Sequence, residues 1–148
     1  MPDENINKWT QKGHVYLWRY QENTRNYPGW HLTADETFCS SFAELIGRML
    51  VAQYGSRQSL AVTAPTKEIL SIPNNRGGAA KWKSPKALIL KHRKDHITDD
   101  YFSLEESEDA IIISAGRQKL ELLKDCVLNI PKNQDYSIEI GNTQLWFW

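Results

Sequence analysis

Ser41-Phe42-Ala43-Glu44-Leu45-Ile46-Gly47-Arg48-Met49-Leu50 carries the clearest periodicity in the chain. Phe42, Leu45, Ile46, Met49 and Leu50 recur at helical spacing, which lays a wide apolar stripe along one side. Ser41 and Glu44 have capping-box spacing, the hydroxyl serving an orphan amide and the carboxylate reaching back. This predicts a helix that starts at Ser41 and stops near Gly55, with Glu44 and Arg48 paired on its polar side. A second helix is expected over 117–128, with Leu120, Leu123, Cys126 and Val127 facing inward and Pro131 ending it.

Strand signals surround these helices. Residues 14–20 are dominated by aromatic and β-branched side chains. Val15 and Leu17 point one way, and His14, Tyr16, Trp18 and Tyr20 point the other. Tyr27-Pro28-Gly29 reads as a turn into a short extended piece at 30–32. A further strand is expected at 60–63, and 67–72 fits either one helical turn or a strand. Residues 86–92 and 109–114 have continuous apolar centres, as inner strands covered on both faces do, with an acidic connection at 98–108 between them; if the two pair as a hairpin, their opposite charge blocks partly neutralise each other. The chain closes on a hairpin, 136–140 and 145–148, around Gly141-Asn142. Without regular βαβ alternation, the expected fold class is α+β, a mainly antiparallel sheet with two helices packed on one face. One globular domain over 1–148 is expected, with 1–12 flexible.

The 148 residues are 41% apolar and 24% charged, which excludes a disordered chain. Eighteen Lys+Arg against eighteen Asp+Glu leave no global field to recruit nucleic acid or an anionic membrane. No apolar stretch is long enough to span a bilayer, and no leader is evident, so a cytoplasmic address is expected. Two cysteines without a CxxC pair fit reduced thiols.

Four constellations could carry chemistry. Six tryptophans are heavy usage, and Tyr16, Trp18 and Tyr20 share a strand face, as do Trp146 and Trp148. If those strands adjoin, the rings form a platform for a protein partner, a sugar or a base; otherwise they are core, and Trp30 and His31 are further candidate binding residues. The basic stretch 76–94 sets Arg76, Lys81 and Lys83 around Trp82 after Gly77-Gly78, a backbone able to cradle a phosphate beside a stacking ring. Its plainer reading is a solvated loop and a lysine-protected edge. His92 and His96 stand four apart but lack the Glu of a metalloprotease motif, and neighbouring cations oppose a metal. Cys39 could pair with His31 as a nucleophile, although packing is the simpler role.

No metal or cofactor is expected, and the balance leans away from an enzyme. The leading expectation is a binding protein for a protein partner or its own copy, using an aromatic sheet face or edge. The alternative is a module for an anionic small molecule or nucleic acid at 76–94. A small Cys/His hydrolase is the weaker alternative.

Overall fold

Asp35, not Ser41, starts the long helix. The computed structural model describes residues 4–21, 27–72, 81–94, 99–132 and 136–148. Helix α2 spans Glu36–Val51, and the Asp35 carboxylate caps it by accepting the Phe38 amide at 2.8 Å. Its other oxygen accepts the His14 amide at 3.0 Å, so one side chain sets both the helix start and the chain entering β1 (Val15–Tyr20). Ser41 has local capping chemistry but is buried inside the helix and serves a tertiary contact. Its Oγ accepts from the Lys12 amide at 3.2 Å, and its carbonyl accepts from the Trp9 indole N–H at 2.9 Å.

The described part of the lead-in, residues 4–12, holds packed groups. A short helix, α1 (Glu4–Asn7), buries Ile6, and Trp9 is buried behind it. Gly13 lets this segment pass close to α2, since a Cβ there would stand 2.3 Å from both Asp35 Oδ1 and the Phe38 amide.

The strands form two mixed sheets rather than one mainly antiparallel sheet. The first joins β1, β2 (Trp30–Ala34), β4 (Trp82–Lys83), β8 (Tyr136–Ile140) and β9 (Thr143–Phe147) in the order β4-β1-β2-β9-β8. β2 and β9 run parallel, while the other neighbours are antiparallel. The second joins β3 (Ser56–Ala61), β5 (Ala87–His92), β6 (Phe102–Glu106) and β7 (Ala110–Ala115) in the order β3-β5-β7-β6. β5 and β7 are its inner strands, as their apolar centres predict, but they lie parallel rather than as a hairpin. The acidic connection supplies the reason: its Phe102–Glu106 portion is itself a strand and turns back antiparallel to β7. A one-turn helix, α3 (Lys67–Leu70), follows β3.

Helix α4 (Arg117–Leu128) packs beside α2, burying Leu120, Leu123, Cys126 and Val127. One apolar cluster takes Val15, Leu17 and Leu145 from the first sheet, Leu60, Leu90 and Ile113 from the second, and the inward stripes of both helices. Leu45 and Leu123 sit within it, and full burial of each stabilises the fold by about 1.5–3 kcal/mol. Backbone and side chains also join the two sheets directly. Thr63 N, just beyond β3, donates to Val15 O of β1 at 2.8 Å, and Arg19 of β1 and Lys83 of β4 both reach Glu106 of β6.

Candidate functional site

Alternation along β1 divides its side chains between two environments. Val15 and Leu17 enter the main core, while Tyr16, Trp18 and Tyr20 face outward from it. Register carries this outer face across the sheet. Trp18 lies opposite His31 on β2, and His31 lies opposite Trp146 on β9. The aromatic strands β1 and β9 are therefore not neighbours. β2 lies between them, and His31 fills the gap.

Rings run continuously across this face. His31 stacks on Trp18 at 5.5 Å and lies nearly parallel to Trp148 with centroids 6.2 Å apart, and Trp148 stacks on Trp146 at 5.8 Å. Tyr27 stands edge-on to both Trp146 and Trp148, at 5.1 and 5.3 Å. Gly29, at φ +100°, lets the turn carrying Tyr27 lie against β9, where a Cβ would meet the Gln144 carbonyl at 2.2 Å.

His31 is fully buried, and its hydrogen bonds fix its proton. The Trp148 indole can only donate, so the Nδ1 it meets at 3.0 Å must accept. Nε2 then carries the hydrogen and donates to the Tyr27 carbonyl at 3.1 Å. Burial holds the His31 pKa down at about 4. A second proton would remove the acceptor that Trp148 requires.

The face is sealed at one end and open at the other. Trp18 and Tyr20 are buried with Leu70 of α3, whose carbonyl accepts the Tyr20 hydroxyl. Burial raises the Tyr20 phenol above its ordinary pKa. Tyr16, Tyr27, Trp146 and Trp148 are half-buried, and Tyr16 and Trp148 also pack against the sealed cluster. The Trp146 indole N–H donates to Pro28 O at 2.9 Å, so neither indole at the open end has an N–H left to satisfy. The sequence identifies these tryptophans, but nothing local marks Tyr27. It joins them through a turn more than one hundred residues away in the chain.

Trp30 is not part of this platform. It alternates with His31 and faces the second sheet, with the Lys83 ammonium 5.8 Å from its ring centroid. Lys83 also pairs with Glu106 at 3.5 Å, on the side of β4 opposite Trp82. Trp82 lies opposite Tyr20 on the outer face and is 37% exposed, while Lys81 is exposed at the start of β4. Trp82 and Lys83 therefore do not converge on one ligand. Arg76 and the Gly77-Gly78 loop lie outside the described residues.

The Cys39–His31 arrangement is absent from this geometry, because both His31 nitrogens are engaged by Trp148 and Tyr27. Cys39 is a buried free thiol whose pKa burial pushes up to about 11, with Asp35 and Glu36 adding to the rise. Cys126 is likewise free, buried and raised to about 11 by burial. His92 meets the Met49 carbonyl at 3.1 Å through Nδ1, and His96 lies outside the described residues. Among the described residues, no group of three or more His, Cys, Asp or Glu could hold a metal. No helix among them is long and apolar enough to cross a membrane.

No family model matches the chain, and no curated protein or solved structure matches it significantly.

Proposed function

We propose that this protein is a non-enzymatic binding module of the cytosol that recognises a protein partner through the outer aromatic face of its first sheet. One observation carries the reading: Tyr27, Trp146 and Trp148 are only half-buried, while ring contacts with one another and with buried His31 hold them in place. Such rings supply contact area with little further loss of conformational entropy, which favours binding. Because both indole N–H groups are satisfied internally, the indoles offer π surface and aromatic C–H edges. The face suits a partner presenting apolar or aromatic side chains. Exposed Trp82 extends the same face beyond buried Tyr20.

The test is affinity capture from the native host with wild-type and Trp146→Ala baits in parallel. Each retained protein is then purified and titrated directly. A partner that binds wild type and loses at least tenfold in affinity for Trp146→Ala, itself folded, supports the reading, a change of about 1.4 kcal/mol. Equal affinity for the two baits would sink it. Sedimentation of the pure protein over a concentration series shows whether that partner is a second copy.

A further inference from the structure

Alternation divides the second sheet as it divides the first. Leu60, Leu88, Leu90, Ile111 and Ile113 enter the main core, so the residues between them face outward. Register sets four outward side chains in one row: Ser59 on β3, Ile89 on β5, Ile112 on β7 and Glu105 on β6. Ala87 and Ala110 stand side by side one row away. The parallel inner strands β5 and β7 therefore carry apolar side chains on both faces, the pattern of strands covered on both sides. The core covers one side. On the other, Ile89 and Ile112 are half-buried yet packed into neither hydrophobic cluster.

Charge on this outer face is divided between its edges. Arg57 on β3 lies directly opposite Lys91 on β5, while Glu105 occupies the far edge on β6. Arg57 and Glu105 are exposed, and none of the three forms an ion pair among the described residues. A half-turn about an axis parallel to the strands, between β5 and β7, lays β3 of one copy over β6 of another. The same rotation lays Ile89 over Ile112. Arg57 then arrives one row from Glu105 of the other copy, about 7 Å along the strand, a gap its long side chain spans. Symmetry forms every such contact twice.

We infer that two copies of this chain pack through the outer face of the second sheet, as a two-fold sandwich. Ile89 and Ile112 form its centre, and Arg57 of each copy meets Glu105 of the other. A partner of one charge would satisfy one edge and be repelled by the other; a second copy satisfies both. Stacked sheets sit about 10 Å apart, a spacing that side chains of this size fill. The face is about 20 Å wide, smaller than a standard interface, so the dimer is weak and concentration-dependent. It lies on the other sheet from the aromatic face and uses none of its residues.

The test is sedimentation equilibrium of the full chain over a concentration series at low salt. Wild type should rise from monomer towards dimer mass as concentration increases. Arg57→Glu and Glu105→Arg should each weaken association at least tenfold, because like charges then face each other. An equimolar mixture of the two variants should recover it, since each copy supplies the charge the other lacks. Glu139→Arg makes the same charge change on exposed β8 of the first sheet and should associate as wild type does. A wild type that stays monomeric, single variants that associate normally, a mixture that stays monomeric, or an equal loss in Glu139→Arg would each overturn the inference. Urea melts of each variant confirm that any loss is not unfolding.

Discussion

Both buried histidines among the described residues meet a backbone carbonyl and both have lowered pKa values, yet their surroundings differ. His31 sits among rings, with each nitrogen engaged by a neutral partner. His92 sits beside Lys94 and Arg117, at the end of a helix whose carbonyls draw cations together. In the first region burial excludes charge. In the second, charge gathers around a neutral ring. The contrast teaches that a buried histidine by itself says little about function, because its neighbours determine whether the site stores packing energy or electrostatic field.

The largest effect should come from the sealed end of the ring stack. Trp18 is wholly buried, so Trp18→Ala should destabilise the fold by about 3–5 kcal/mol in equilibrium urea melts. Half-exposed Trp146, changed to Ala, should cost only about 1 kcal/mol. Similar losses for the two variants would erase the distinction between a buried base and an open rim.

Next in size is the response of His31 to acid. Its folded pKa, about 4, lies below the ordinary 6.5, so the unfolded chain takes up the proton first. The stability tied to neutral His31 is complete above pH 6.5 and is lost as pH falls from there towards 4. The total loss is about 3 kcal/mol. His92 contributes in the same direction. Stability measured at half-unit pH steps should therefore fall less steeply over this window in His31→Gln, which cannot titrate. Identical slopes for wild type and variant would place the acid sensitivity elsewhere.

The smallest effect belongs to the charged region. Lys94→Met removes the cation from the Ala52 carbonyl, and should cost about 0.3–1 kcal/mol, decreasing as salt is added. A loss above 2 kcal/mol, insensitive to salt, would mean that this side chain serves packing rather than the helix end.

Local pattern was legible wherever one element contained its own signal. The stripe Phe42, Leu45, Ile46 and Met49 predicted a helix, and the turn at Gly141-Asn142 predicted the closing hairpin, because helix and hairpin periods are written in neighbouring residues. The helix start was misread because Asp35 and Ser41 both carry N-cap chemistry. Only the contacts of Lys12 and Trp9 with Ser41 separate a cap from a tertiary anchor. The parallel pairing of 87–92 with 110–115 is not legible in either stretch, because apolar centres give burial but no direction.

The sequence by itself determined that Trp18, Tyr20 and Trp146 lie on faces of extended strands, since a strand alternates with period two whatever it packs against. Tertiary structure alone decided that β2 lies between those strands, placing His31 in the stack and Trp30 on the opposite side. It likewise set Ile89 beside Ile112, because the order of strands in a sheet depends on contacts distant in sequence.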